Sequence, residues 1–121
     1  MKTLLLIVCL WPLTTPLLAQ SFQLKQLASG LGVPWGLAFI SADQLLITER
    51  EGTARILDIR SGNVEKVSGL PAVFAEGQGG LLDVAVASDY AAHPWIYFTY
   101  SKDIRGEGAT TLARARLQHN R

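Results

Sequence analysis

The chain has 121 residues, of which 49% are hydrophobic and 17% are charged. This composition is typical of one small folded domain and excludes a disordered polar chain. Eleven basic residues against ten acidic ones give a net charge of +1, and no cluster of lysines and arginines stands out. A nucleic-acid partner is therefore not expected.

The first 19 residues have the pattern of a secretory signal peptide. Lys2 precedes an apolar run from Leu4 to Leu13, and the small residue Ala19 stands at the expected cleavage point. A membrane anchor is the alternative, but this run is shorter than the ~20 apolar residues that span a bilayer. We therefore expect a mature chain that begins at Gln20, is periplasmic or secreted, and keeps no stable membrane anchor.

The single cysteine, Cys9, lies inside this apolar run. A lipidated cysteine is not indicated, because Val8 stands where a small residue is expected. Cleavage after Ala19 would remove Cys9, so the mature chain would have no disulfide and would depend on packing or metal for its stability.

The rest of the sequence is typical of short β-strands, without sustained helical periodicity. Each predicted strand is rich in β-branched and aromatic residues and is bounded by Gly, Asp, Asn or Ser. In chain order the strands are PWGLAFI (34–40), QLLITER (44–50), TARILDI (53–59), NVEKVSG (63–69), GGLLDVAVA (79–87), PWIYFTYS (94–101) and TTLARARL (110–117). An earlier segment, Phe22 to Leu31, is also expected to form a strand.

Two of these strands have informative faces. In GGLLDVAVA, alternation places Leu82, Val84 and Val86 opposite a face of mostly small residues, namely Leu81, Asp83, Ala85 and Ala87. The small face predicts that another backbone lies close to it. In TTLARARL, one face contains Arg114 and Arg116 and the other contains alanines, so this strand is expected to be half-exposed.

The strands form a repeat. WGLAFISADQLLITE and LDVAVASDYAAHPWIYFTY share an apolar strand, an Asp-containing turn and a stronger apolar strand, and Phe39 corresponds to Val86, 47 residues later. A period of about 40 to 50 residues with four strands per unit indicates a β-propeller blade. Trp35 to Val67 would be one blade, and Leu81 to Leu117 three strands of the next. Phe22 to Leu31 would join the last blade, and a small β-sandwich is the alternative fold.

Six phrases occur in a specific order: GLGVPWGLAFI, LLITEREG, RILDI, GLPAVFAEGQGGLLDVAVASDYA, WIYFTYS and ATTLARARL. In this order the chain resembles the pyrroloquinoline-quinone (PQQ)-dependent aldose sugar dehydrogenases of the soluble glucose/sorbosone dehydrogenase family, from about Leu24 to Leu117. The resemblance implies a six-bladed β-propeller that oxidises aldose sugars with PQQ and calcium. Residues 20–121 would be its N-terminal part, covering about the first blade and most of the second.

The resemblance implies a role for Gln78, which lies in the glycine-flanked stretch EGQGG. In the family a glutamine in this loop reaches the quinone and sugar site, so Gln78 is the predicted cofactor-binding residue. A neutral amide offers donors and an acceptor to carbonyl and hydroxyl oxygens, and glycines permit close approach of a ligand. The alternative is a polar turn residue whose amide satisfies local backbone groups.

No catalytic or metal-ligating residue is assigned. His93 is expected to be a solvated turn residue, and His119 to belong to the C-terminal tail. Glu49 and Arg50 are predicted to form a structural ion pair at a strand end. Asp83 is predicted to hydrogen-bond to backbone. The other aspartates have the sequence context of turn residues: Asp43, Asp89 and Asp103.

The family's histidine base, quinone-binding arginines and calcium ligands are not recognisable in residues 20–121. Because the resemblance places those groups in later blades, we expect the chain to be inactive by itself. Its uncovered sheet faces and edges would favour self-association. The alternative function is a non-catalytic secreted β-propeller or β-sandwich binding module. A downstream reading frame with a histidine followed by glycines and an arginine would favour the enzyme.

Export is predicted to cleave the chain between Ala19 and Gln20, since a small residue follows the short apolar run there. N-terminal sequencing of the exported protein should find Gln20 first. A mature chain that retains Met1 would contradict the prediction.

Overall fold

The structure, a computed structural model, describes residues 20–118, so the predicted signal peptide lies outside the described residues. Within this range the fold is all-β, with the strands β1 (Pro34–Phe39), β2 (Gln44–Glu49), β3 (Thr53–Asp58), β4 (Val64–Val67), β5 (Leu81–Val86), β6 (Ile96–Ile104) and β7 (Glu107–Ala115). All the strands expected after Val33 are confirmed. Between residues 20 and 118, no helix has the length and apolarity needed to cross a membrane.

The strands form two antiparallel sheets in which sequence neighbours pair. The first sheet has the order β1-β2-β3-β4 and the second β5-β6-β7. A two-residue turn joins β6 to β7, with positive φ at both Arg105 (58°) and Gly106 (86°). Two positive φ values match the twist of a tight hairpin. The turn aspartate Asp103 accepts a hydrogen bond from the Gly106 N–H at 2.7 Å.

The predicted repeat is visible in the two sheets. β1 and β5 are both six residues long and begin each sheet, and Phe39 and Val86 both end their strands. The pairing of each strand with its neighbour is interrupted at the corresponding place, between Pro34 and Leu37 in β1 and between Leu81 and Val84 in β5. The bulge corrects the predicted faces of β5. Strict alternation fails there, so Leu81 and Val84 are both buried.

β1 and β5 lie side by side where the sheets meet. A Cβ at Gly36 would stand 2.8 Å from the Val84 nitrogen and 2.9 Å from the Asp83 Cα, so only glycine allows this approach. The buried Thr48 hydroxyl accepts a hydrogen bond from the Gly36 N–H at 2.9 Å and donates one to the Leu82 carbonyl at 2.5 Å. The backbone of β5 thus lies against that of β1 at Leu82 to Val84, whereas Asp83 and Ala85 of the predicted small face are exposed.

One hydrophobic cluster joins the two sheets. It draws on both of them, with Leu46, Ala54, Leu81, Val84, Ile96, Phe98 and Tyr100. Ile47 and Leu57, which point to the opposite face of the first sheet, are also buried, each with 2% exposure. β2 is therefore covered on both faces, which makes it the most protected strand of the first sheet.

One expectation from the sequence, a strand from Phe22 to Leu31, is wrong. Phe22 to Leu31 forms no strand, because no strand of the described chain pairs with it, and Phe22 is 82% exposed.

On β1, the small residues face the second sheet, while Trp35, Leu37 and Phe39 are exposed. The large apolar face of β1 is thus uncovered within residues 20–118.

The last strand is half-exposed, as predicted. Ala113 packs against the core, whereas Leu112 on the other face is 70% exposed. The guanidinium groups of Arg114 and Arg116 lie 4.3 and 4.0 Å from the centroid of the Trp95 ring. Cation–π attraction of this kind fixes the arginine side chains on the outer surface of the second sheet.

Replacing Gly36 by alanine is predicted to lower the free energy of unfolding by about 1–3 kcal/mol, the usual cost of overpacking a close contact. Gly32→Ala is the matched control, since a Cβ there would meet nothing closer than 3.6 Å. Denaturant unfolding of both variants tests this. Equal stability of the two variants would contradict the close approach of β1 to β5.

Candidate functional site

The segment that contains Gln78 lies between β4 and β5, directly before the strand that adjoins β1. We call residues 75–80 the Gln78 loop. Gln78 is exposed at its tip. Gly77 has a φ of 55° and Gly80 a φ of 142°, values that side chains rarely adopt. The two glycines thus allow the chain to turn sharply on both sides of Gln78.

The start and end of this segment are packed against β6. The Phe74 N–H donates to the Ser101 carbonyl at 2.8 Å, and the Ser101 N–H donates to the Gly80 carbonyl at 2.8 Å. A Cβ at Gly79 would collide with the Phe74 carbonyl oxygen. The loop therefore starts and ends on the same residue of β6, and glycine is required at position 79 by close packing.

Arg50, in the turn after β2, contacts the loop from the first sheet. Its Nη2 donates to the Ala75 carbonyl at 2.9 Å and to the Gly77 carbonyl at 2.7 Å. Its own carbonyl accepts a hydrogen bond from the Leu81 N–H at 2.9 Å. A Cβ at Gly80 would collide with that carbonyl. One residue of the first sheet thus fixes both the loop and the first residue of β5.

Gln78 remains a predicted binding residue. The alternative is a turn residue whose amide satisfies local backbone groups, and the hydrogen bonds of the loop bear on it. The loop carbonyls of Ala75 and Gly77 are occupied by Arg50, and the Glu76 carbonyl accepts the Gly79 N–H at 2.8 Å. These local acceptors are satisfied without the Gln78 amide. The exposed amide is therefore available to a ligand, which is what a binding role requires.

The predicted ion pair between Glu49 and Arg50 is wrong. Glu49 is the last residue of β2 and Arg50 lies in the turn that follows, and their side chains bind different groups. The Glu49 carboxylate accepts hydrogen bonds from Arg55 Nε at 3.0 Å, from the Gly32 N–H at 2.6 Å and from the Thr53 hydroxyl. Arg50 pairs instead with Glu51, Nη1 to Oε1 at 2.9 Å.

The environment of Glu49 lowers its pKa. Burial raises the pKa of this carboxyl, but the hydrogen bonds from Thr53, Gly32 and Arg55, together with the charge of Arg55, outweigh burial and hold the pKa below its ordinary value of 4.5. The carboxylate is thus ionised and structural. It ties the segment before β1 to β2 and β3.

The remaining polar candidates take local roles. Asp83 accepts a hydrogen bond from the Val84 N–H at 2.9 Å, which confirms the predicted backbone contact. His93 is exposed, as expected, and its Nδ1 lies 2.7 Å from Asp89 Oδ2. Asp43 lies 2.7 Å from Arg60. His119 lies outside the described residues.

No group of three or more His, Cys, Asp and Glu side chains suited to a metal ion occurs between residues 20 and 118. At the Gln78 loop, the described residues offer hydrogen bonding by a neutral, exposed amide. Such a group can orient a ligand carbonyl or hydroxyl.

The family model for Glucose / Sorbosone dehydrogenase matches residues 31–121. The chain belongs to this family. The match includes β1 to β7 and the Gln78 loop, so the whole described site lies inside the region that the glucose/sorbosone dehydrogenases share.

Relatives in this family agree with the assignment. The chain is 40% identical to the aldose sugar dehydrogenase of Escherichia coli over 78% of its own length and 26% of that protein. It is 34% identical to quinoprotein glucose dehydrogenase B of Acinetobacter calcoaceticus, over 67% of its own length and 18% of that protein. The chain spans about a quarter or less of these curated relatives.

The fold is shared with a solved member. The PQQ-bound form of an aldose sugar dehydrogenase from Streptomyces coelicolor matches with a TM-score of 0.68 at 32% identity, covering 75% of this chain and 26% of that chain. The suspected family resemblance is thus confirmed at the level of sequence and of structure.

Arg50 was missed as a site residue by the sequence reasoning. The phrase ITEREG marks a charged strand end, but Ala75 and Gly77, which Arg50 contacts, lie 25 and 27 residues away. The signal that could have drawn attention to it is an arginine at a strand end within a family phrase.

The lowered pKa of Glu49 predicts a pH-dependent contribution to stability. A carboxyl whose pKa is depressed by folding stabilises the fold above its unfolded pKa of 4.5, and the contribution is lost as the pH falls through the lower folded value. Glu49→Gln should therefore destabilise the protein at pH 7. The difference in free energy of unfolding between parent and variant should narrow below pH 4.5.

Denaturant unfolding of parent and variant between neutral and acidic pH measures this gap. Glu51→Gln, whose side chain is 59% exposed, is the control and should change stability little at any pH. A gap for Glu49→Gln that stays constant on acidification would contradict the structural carboxylate.

Proposed function

We propose that this chain is part of a secreted or periplasmic PQQ-dependent aldose sugar dehydrogenase, in which Gln78 contacts the quinone or the sugar. One observation carries the proposal: Arg50 binds the Ala75 and Gly77 carbonyls of the loop, and the Gln78 amide is exposed beside the junction of the two sheets. Family membership and the names of the relatives support the reaction class.

The proposed architecture is a six-bladed β-propeller, with the first sheet as one blade and the second as most of the next. The 47-residue repeat of β1 and β5, their matching bulges and their side-by-side contact support it. First strands of neighbouring units that meet in this way are what a propeller requires around its axis. Gln78 would then open on the central face.

The described residues fit a quinone ligand at one point. The Gln78 amide can donate to a quinone carbonyl or accept from a sugar hydroxyl. The glycines at 77, 79 and 80 have no side chains, so a ligand can approach the loop backbone closely. PQQ, when bound, would supply the two-electron oxidant for the aldose. Gln78 would orient one of the two reactants, and it would neither take up a proton nor become oxidised.

Calcium is included in the proposal only because the family resemblance implies it. Residues 20–118 contain no cluster of carboxylates suited to it, so none of them is assigned as a ligand. The histidine base, the quinone arginines and the calcium ligands would be supplied outside the described residues. The proposed consequence is that residues 20–121 do not oxidise sugar by themselves.

Gln78→Ala, in the full-length protein that carries this sequence, is predicted to lower kcat/KM for aldose with little change in Tm. Loss of one neutral hydrogen bond is worth about 0.5–1.5 kcal/mol, or roughly two- to twelvefold in rate. Dye reduction with saturating PQQ and calcium measures the rate, and a thermal melt measures Tm.

Gln26→Ala is the matched control, because Gln26 is also exposed and, within residues 20–118, its amide hydrogen-bonds only to the Ala28 carbonyl. Unchanged kinetics of Gln78→Ala together with a clearly lower Tm would support a turn role instead. PQQ binding without any sugar oxidation would favour a non-catalytic binding module.

A further inference from the structure

The Arg50 side chain donates two hydrogen bonds to the Gln78 loop. Arg50 lies in the turn directly after β2 of the first sheet. We propose that Arg50 is a positioning residue, which holds the Gln78 loop in the conformation that binds the quinone or the sugar. This inference rests on the proposed function for its link to the quinone. The holding of the loop itself follows from the contacts of Arg50.

The backbone of Arg50 is fixed first. Its N–H donates to the Val33 carbonyl at 2.8 Å, and its carbonyl accepts from the Leu81 N–H at 2.9 Å. Gly80 approaches that same carbonyl so closely that no Cβ fits. These backbone contacts hold the Arg50 Cα next to Gly80, at the end of the loop, independently of the Arg50 side chain.

The side chain then reaches the other end of the loop. Nη2 donates to the carbonyls of Ala75 and Gly77, which bracket Glu76 and immediately precede Gln78. Nη1 is engaged by the Glu51 carboxylate at 2.9 Å, which orients the planar guanidinium. Hydrogen bonds from a charged donor are stronger than neutral ones, and the Arg50 side chain is only 22% exposed.

The role is confined to the loop tip. The segment before it is held by packing, since Phe74 lies against Gly108 and Val73 against Gly52. The segment after it is paired with β6 through Gly80. Within the loop, the guanidinium binds the carbonyls of Ala75 and Gly77, on either side of Glu76. Loss of the Arg50 side chain should thus loosen Gln78 without separating the sheets.

The test compares Arg50→Ala, Gln78→Ala and the double variant in the full-length protein that carries this sequence. Hydrogen exchange of the peptide containing residues 75–80 reports loop opening, and quenching of tryptophan fluorescence by PQQ reports its Kd. We expect Arg50→Ala to accelerate exchange in this peptide and to raise the Kd about tenfold, the size of one lost charged hydrogen bond.

If Arg50 acts through Gln78, the double variant should bind PQQ no more weakly than the weaker single variant. Arg50→Lys keeps the charge and can reach one carbonyl, so it should recover part of the affinity. Arg60→Ala is the control, because Arg60 is a 77% exposed arginine paired with Asp43 and should change neither readout.

Unchanged exchange of the loop peptide in Arg50→Ala would overturn the inference, as would losses of PQQ affinity that add fully in the double variant. The proposed function fails separately. If Gln78→Ala leaves PQQ affinity and sugar oxidation unchanged while Arg50→Ala still loosens the loop, Gln78 is not the contact and the positioning role of Arg50 stands. If Arg50→Ala does not fold, Arg50→Lys supplies the same comparison.

Discussion

The close approach of β1 to β5 fixes how the two sheets meet. Gly36 removes the side chain that would keep the strands apart, and the Thr48 hydroxyl joins β1, β2 and β5 through one buried oxygen. A buried hydroxyl that both accepts and donates leaves no polar group unsatisfied, so this junction is compatible with the apolar core beside it. The hydrophobic cluster then closes between the two sheets.

The same junction positions the candidate site. Successive backbone groups at the start of β5 are bound by the first sheet: the Leu82 carbonyl by Thr48, and the Leu81 N–H by the Arg50 carbonyl. The Gln78 loop ends at Gly80, one residue earlier. Its geometry is therefore set by residues of β2 and of the turn that follows, and a ligand that meets Gln78 meets a group held by both sheets.

Local signals explain what could be predicted from the sequence. Strand boundaries follow from alternation and from turn residues such as Gly52 and Asp103, and the 47-residue repeat exposed the equivalence of β1 and β5. Gln78 was identified through family resemblance, because nothing in the composition of a glycine-rich turn distinguishes a binding loop from a tight bend.

Long-range geometry explains what could not be predicted. The bulge in β5, which buries both Leu81 and Val84, depends on the strand beside it. Glu49 pairs with Arg55 on β3, and Arg50 pairs with Glu51 and binds a loop 25 residues away, so the predicted pair between Glu49 and Arg50 does not form. Phe22 to Leu31 likewise forms no strand, because no strand of the described chain pairs with it.

We propose that the junction of the two sheets presents Gln78 to the cofactor. A crystal structure of the full-length protein that carries this sequence, bound to PQQ and calcium, tests it most directly. We expect a Gln78 side-chain atom within about 3.2 Å of the quinone or of bound sugar, with Arg50 still bonded to the Ala75 and Gly77 carbonyls. A quinone bound elsewhere, with Gln78 facing solvent and the loop free of Arg50, would contradict it.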